Sequence, residues 1–364
     1  MKLISTIIYL LCTYSCCGQS NKEIISTLLE PPDKEMDVIL CDKEWEQRLD
    51  YATIIKVDSQ YVMYYRACNN GSYPHITYCY ATSKDGIHWE KPLLNSFTYN
   101  GSKENNILTD RVDGVSVAYV NKTFWMIADR RFNQDNKKIK GLFLLSSKDG
   151  INYVFDDRLK VPFFCDSQNE ILWDETSETF KLYLRSWYRS KVPTINYHHS
   201  NQRYRSVSLL EIPSLDYKMP YSNRHITSEG TIIHPSLKNE LPIVLKNNSL
   251  NSDFDIYCAY VHKYRDKLYI AYPLNYYHTD DKKKGGNKDN DGYGTIGFWI
   301  SKDGRHFREL KRDYITNGEN WIESCIGHIE TEKMFIHYYI PFKNTHVGEN
   351  KKNTIRARIH YKRQ

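Results

Sequence analysis

Several things are missing from this chain, and each absence narrows what it can be. There is no C-x-x-C pair, so a zinc ribbon is not its organising element. No G-x-S-x-G, H-E-x-x-H or phosphate-cradling glycine loop occurs, which removes the common signatures of serine hydrolases, zinc peptidases and nucleotide binders. The lysine runs Lys282–Lys284 and Lys351–Lys352 are short, and no basic stripe or known motif accompanies the formal net charge of +6. Nucleic-acid binding is therefore not expected. Beyond the first residues no apolar run approaches the roughly 20 residues of a membrane span, so no transmembrane segment is expected. A long amphipathic helix is missing too, although NKEIISTLLE could make a turn or two.

What the 364 residues do contain is tyrosine, in 30 copies, and aromatics at 14%. Such residues favour strands. Hydrophobic content of 40% and charged content of 26% suit a soluble globular protein with a sizeable core. The opening MKLISTIIYLLCTYSCCGQS has Lys2, a short apolar run and then small polar residues, which reads as a signal peptide over residues 1–20. Cys16 or Cys17 after Ser15 leaves a lipid-anchored alternative open. The mature chain is expected to be secreted, periplasmic or at the cell surface, and to be a monomer. Residues 21–37 read as an N-terminal extension and residues 38–364 as one domain. Six cysteines follow the signal: Cys41, Cys68, Cys79, Cys165, Cys258 and Cys325. They are either buried small hydrophobes or disulfide partners, with Cys68 and Cys79 the candidates for a link between neighbouring strands.

Strand-like segments recur in a fixed order. YVMYYR, FWMIADR, FKLYLRSW, KLYIAYPLNYY and MFIHYYIPF are each preceded by a strand and a polar turn, and each is followed by another strand. Five such units predict an all-β, five-bladed β-propeller of four-stranded antiparallel blades. An ordinary β-sandwich would not account for five ordered repeats. The phrase S-K-D-G-x-x-aromatic appears at Ser83, Ser147 and Ser301, and PSLDY from Pro213 is a degenerate copy. Its Ser, Asp and Gly suit a tight turn at the end of an outer hairpin, away from the axis, with Trp89, Tyr153 and Phe307 tucked against the blade.

The phrases YCYATSKDGIHWEKP, FTYNGSKENNIL, FCDSQNEILWDETSETFKLYLRSW and ISKDGRHFREL resemble bacterial proteins of the five-bladed glycoside hydrolase superfamily, families 32, 43, 62, 68, 117 and 130 among them. The resemblance runs over roughly Val38 to Tyr361 and mostly reports blade turns. It implies a carbohydrate substrate and acids near the innermost strands at the axial mouth. Glycosidic cleavage asks for the same thing, since one carboxyl must protonate the leaving oxygen and a second must act as base or nucleophile.

A search for acids just before each inner strand returns Asp113, Asp166, Glu323, Asp255, Asp50 and Glu46 as catalytic candidates. Arg111 and Asp113 are similar to the family's R-D-P segment with one residue inserted. The third blade has Cys165-Asp166 where families 32 and 43 often carry Glu-Cys, and the first lacks their N-D-P phrase. Arg111, Arg185, Gln168 and Asn169 are candidates to bind hydroxyls or a uronate; Trp45, Trp187, Tyr257 and Trp321 to stack on sugars; His346 to face the same mouth. No organic cofactor is expected, and a structural or axial calcium ion is left open. Asn287, Asp289, Asp291 and Gly292 open like a calcium loop, but Phe298 stands where its bidentate Glu belongs, so a solvated insertion is the better reading. The adjacent His198 and His199 would point to opposite sides of an extended chain. The expected activity is hydrolysis of an oligo- or polysaccharide; a non-catalytic glycan-binding propeller and a glycoside phosphorylase of the same architecture are the alternatives.

Overall fold

The structure is a computed structural model. It describes residues 19–69, 74–129, 132–134, 137–139, 141–163, 165–189, 203–217, 235–247, 254–279, 291–348 and 351–363. The signal segment, His198, His199 and most of the candidate calcium loop lie outside the described residues.

A short helix comes first, α1 (Asn21–Leu29), started by a capping box in which Ser20 and Glu23 satisfy one another's backbone N–H. Next comes β1 (Lys34–Leu40). Blade 1 is β2 (Arg48–Val57), β3 (Gln60–Cys68), β4 (Ile76–Ser83) and β5 (Trp89–Glu90), with β6 (Ile107–Thr109) also on β4. Blade 2 is β7 (Asp113–Val120), β8 (Thr123–Asp129), β11 (Leu142–Ser147) and β12 (Val154–Val161), interrupted by the hairpin β9 (Phe132–Gln134) and β10 (Lys137–Ile139). Blade 3 is β13 (Glu170–Asp174), β14 (Thr179–Arg189), β15 (Arg203–Ile212) and β16 (Ile243–Leu245).

Blade 4 is β18 (Val261–Arg265), β19 (Leu268–Ala271), β21 (Gly292–Ser301) and β22 (Arg308–Thr316), extended by β17 (Phe254–Ile256) and β20 (Leu274–His278). Blade 5 is β23 (Ile322–Ser324) with β24 (Ile329–Glu330), β25 (Met334–Pro341) and β26 (Thr354–Tyr361). Its outermost strand is β1, antiparallel to β26. The two ends of the chain thus close the ring, and the boundary expected at Val38 falls inside β1. Among the described residues no helix is long and apolar enough to cross a membrane.

Alternation along each strand explains why the blades stack. In β3, Val62 and Tyr64 enter the core shared with blade 2, while Met63 and Tyr65 enter the core shared with blades 4 and 5. In β14, Leu182 and Leu184 face blade 2 and Tyr183 faces blade 4. Each blade is apolar on both faces, so none could be stable alone. All six cysteines described are free. The register sets Cys68 opposite Ile76 and Cys79 opposite Tyr65, so the suggested cross-strand link has no partner in place.

The S-K-D-G turns lie between the third and fourth strands, at the outer rim. In each, the serine Oγ accepts from the glycine N–H, at 2.8 Å for Gly86 and 3.0 Å for Gly150 and Gly304. The glycines adopt φ of +78°, +76° and +71°. Their carbonyls accept a hydroxyl from a buried tyrosine of the preceding blade: Tyr338 to Gly86 (2.5 Å), Tyr64 to Gly150 (2.9 Å) and Tyr183 to Gly304 (2.9 Å). A Cβ on any of the three would begin 2.8 Å from that hydroxyl. The motif's last aromatic closes edge-on upon the same tyrosine, as Trp89 on Tyr338, Tyr153 on Tyr64 and Phe307 on Tyr183.

The motif is therefore a latch between blades. It is absent where it has nothing to hold. Blade 2 has Ile127 in place of the tyrosine, and the turn that would meet it in blade 3 is the divergent PSLDY. Blade 5 has no such turn, because its third and fourth strands come from opposite ends of the chain.

Candidate active site

The inner strands meet closely at the axis. Ile54 N–H donates to Ile326 O (2.8 Å) and Ile326 N–H to Ala52 O (2.9 Å), joining blades 1 and 5. Gln168 donates through Nε2 to Val115 O (2.7 Å) and lies 3.4 Å from Thr53 Oγ1, tying blades 1, 2 and 3. These contacts form a floor. Beside them is a cup of about 130 Å³ lined by Tyr51, Arg66, Asp113, Gly114, Asp129, Asp166 and Ser167.

A recurring irregularity aims the acids. Asp50, Asp113 and Asp166 are each followed by a left-handed residue: Tyr51 (φ +44°), Gly114 (+57°) and Ser167 (+73°). In β2 and β7 the ladder also breaks here, between Asp50 and Thr53 and between Asp113 and Ser116. Bulges of this kind re-aim side chains beside functional sites, and a left-handed Tyr51 costs roughly 1–3 kcal/mol. Only Gly fits at 114, where a Cβ would stand 2.8 Å from Ser167 O. Asp50, Asp113 and Glu323 occupy corresponding ladder positions. Their partners Arg66, Asp129 and Ile340 each follow Tyr64, Ile127 and Tyr338 by two residues.

Arg66 organises one side of the cup. Its Nη2 donates to Asp50 Oδ2 (2.7 Å), its Nε to Asp50 Oδ1, and its Nη1 to Asp113 Oδ1 (2.8 Å), with the guanidinium 4.4 Å from the centre of the Tyr51 ring. Asp50 is 2% exposed and also takes Arg48 Nη2 at 2.9 Å. Burial alone would raise its pKa, but Arg66 and Arg48 outweigh that and hold it below the usual carboxylate range. Asp113 takes a second bond at Oδ1, from Gly114 N–H (2.8 Å), while its Oδ2 has no partner among the described residues. Asp166 makes no hydrogen bond or ion pair within them and is half-buried at the cup.

Glu323 sits behind Tyr51, taking that residue's N–H at 3.2 Å and Trp321 Nε1–H at 2.9 Å. Burial, reinforced by the charge on Asp50, pushes its pKa up to about 7. Two ionisable sets thus lie side by side, one held charged and one able to keep a proton near neutrality.

Other candidates stand elsewhere. Glu46 is wholly buried between Lys91 (2.7 Å) and the Tyr65 hydroxyl (2.7 Å). Asp255 is buried with Arg205 (3.0 Å) and His278 (3.1 Å). Neither lines the cup. Arg111 is exposed on a separate groove between blades 1 and 2 with Phe97 and Tyr153. Trp45 packs edge-on against Tyr99 in the core. Asn169 braces its own loop through Cys165 O and Ser167 O.

Tyr257, Trp321 and His346 form one aromatic cluster, joined by His346 Nε2 and the Tyr257 hydroxyl at 3.2 Å. Arg185 links that cluster to the cup, bonding Ser167 Oγ (3.2 Å) and Tyr257 O (3.1 Å), with Trp187 beside it. Arg66, Tyr51, Asp129 and Ser167 were not singled out from sequence. Arg66 and Asp129 stand in their second strands at the place Arg185 holds in blade 3, and that recurrence was the available signal. Among the described residues no group of three or more His, Cys, Asp or Glu is placed to hold a metal.

No family model and no curated protein sequence matches the chain. Solved structures do. A glycoside hydrolase superposes with a TM-score of 0.56 at 11% identity, over 95% of this chain and 96% of its own. The chain has the fold of the five-bladed propeller glycoside hydrolases. A glycosyl hydrolase from Bacteroides ovatus gives 0.51 at 13% identity, over 91% of this chain and 90% of its own. The Bombyx mori GH32 beta-fructofuranosidase gives 0.52 at 11% identity over 92% of this chain, which spans 65% of that enzyme's length.

Proposed function

We propose that this chain is an exported glycoside hydrolase whose chemistry takes place in the axial cup. The observation that carries the reading is the convergence of acids from four blades. Asp113, Asp129 and Asp166 line one small cavity with Arg66, and Asp50 and Glu323 stand directly behind it. A binding module needs no such set, because gathered carboxylates repel one another and cost stability unless they are used.

Asp113 and Asp166 each present a carboxylate oxygen at the cup with no partner among the described residues, and they are assigned the action on the bond. One protonates the departing glycosidic oxygen, and the other activates the water, or itself attacks the anomeric carbon before water releases the sugar. Asp50 is a positioning residue, fixing the Arg66 fork that holds Asp113. The solved hydrolases of this fold support a sugar substrate for such a cup.

The test is D113N and D166N, made separately and assayed for reducing-end release across plant and algal polysaccharides. Each should lower turnover by about 10²–10⁴-fold with glycan binding retained. Unchanged turnover in both variants would overturn the assignment, and binding without cleavage by the unaltered chain would favour a glycan-binding module.

A further inference from the structure

The second inference rests on the glycan reading and concerns which glycan. Four cations among the described residues are buried to 9% exposure or less: Lys181, Arg185, Arg205 and Arg358. Three are matched by carboxylates. Lys181 meets Glu211, and Asp174 at 3.5 Å; Arg205 meets Asp255 at 3.0 Å; Arg358 meets Glu35 at 2.9 Å. Arg185, at 2% exposure, has no carboxylate partner among the described residues.

What holds Arg185 is neutral. Nη1 donates to Ser167 Oγ and Tyr257 O, the guanidinium lies 4.3 Å from the centre of the Tyr257 ring, and Nε has no hydrogen-bond partner. Removing a guanidinium from water without a counter-charge is costly, and cation–π contact returns only part of that cost. Its place gives the reason for keeping it there. Ser167 forms part of the cup wall, so Arg185 stands immediately behind the surface a substrate would touch. Across the cup, Arg66 is already matched by Asp50 and Asp113. Arg66 thus has direct ion-pair partners, whereas Arg185, with Asp166 next to the serine it bonds, has no carboxylate within ion-pair distance among the described residues.

We propose that Arg185 receives the carboxylate of a uronic acid unit, so that the substrate is an acidic glycan. A planar guanidinium matches a planar carboxylate through two parallel N–H donors. The Tyr257 ring and the two Nη1 bonds fix the plane of the fork beforehand, which lowers the ordering cost of binding. Such a ligand would give Arg185 the direct ion-pair partner that the other three buried cations have.

Calorimetry on the full chain with the methyl glycosides of galacturonate, glucuronate, galactose, glucose and galactose 6-sulfate tests this. At least one uronate should bind on the order of tenfold tighter than its neutral counterpart. R185Q should erase that difference, read as the ratio of uronate to neutral-sugar affinity within the same variant. R185K, which keeps the charge without the fork, covers the case in which R185Q does not fold, and its preference should fall short of that of the unaltered chain.

Equal binding of acidic and neutral sugars, no uronate binding, tighter binding of the sulfate, or a full preference in R185Q or R185K would each overturn the proposal. Binding is read without cleavage, so failure of the D113N and D166N test leaves this inference standing. Indifference to uronates leaves the hydrolase reading standing.

Discussion

Blade 2 uses the dipeptide Asp-Gly twice, at opposite ends of its radius. At the outer rim, Asp149 spends Oδ1 on the N–H groups of Ile151 (2.9 Å) and Asn152 (2.8 Å) and Oδ2 on Asn152 Nδ2 (2.8 Å). At the inner rim, Asp113 gives Oδ1 to Arg66 and Gly114 and keeps Oδ2 open to the cup. Both glycines are left-handed, at φ +76° and +57°. Local backbone need explains both glycines but only one of the aspartates. A carboxylate saturated by its own turn is structural, whereas one held by a residue from another blade, with an oxygen to spare, is poised for chemistry.

The largest stability effect should come from breaking the outer rim. Y183A removes a buried side chain that holds both Gly304 and Phe307, and should cost about 3–5 kcal/mol in denaturant unfolding. Turnover per folded molecule should change little, which keeps the outer role separate from the inner one. Behind the inner rim, E323Q should alter the pH dependence of stability. Burial and the charge on Asp50 raise the pKa of Glu323 from 4.5 to about 7, so the protonated form favours the fold. That contribution is complete below about pH 4.5 and is lost as pH rises through about 7, to the extent of about 3 kcal/mol at most. The glutamine variant should therefore show a flatter stability curve across this window. The smallest effect should be that of Y64F, which leaves Gly150 O without its hydroxyl donor at a cost of about 1 kcal/mol.

The five blades were legible because period-two alternation and turn chemistry are local, and the latch motif repeats in sequence. Radius was not legible. Glu46 lies just before β2, but its loop folds back onto Lys91 and Tyr65. Asp255 precedes the inner strand of blade 4, but the extra strand β17 pairs with β20 and carries it to Arg205 instead. Asp129 lines the cup from the end of a second strand, where a search before first strands does not look. Register sets Arg66 opposite Asp50, a pairing that its recurring place in the second strand does not by itself give. Asp50, Asp113, Asp166 and Glu323 do come together, and the left-handed residue after the first three turns the chain in the same way.

The contrast between the two aspartates of blade 2 is tested most directly by measuring D113N and D149A side by side for thermal unfolding and for turnover on a cleaved glycan. D113N should lose turnover by about 10²–10⁴-fold while unfolding within about 1 kcal/mol of the unaltered chain. D149A should lose about 1–3 kcal/mol of stability and keep its turnover when folded. Full turnover in D113N, or lost turnover in a fully stable D149A, would contradict the assignment of chemistry to the inner rim.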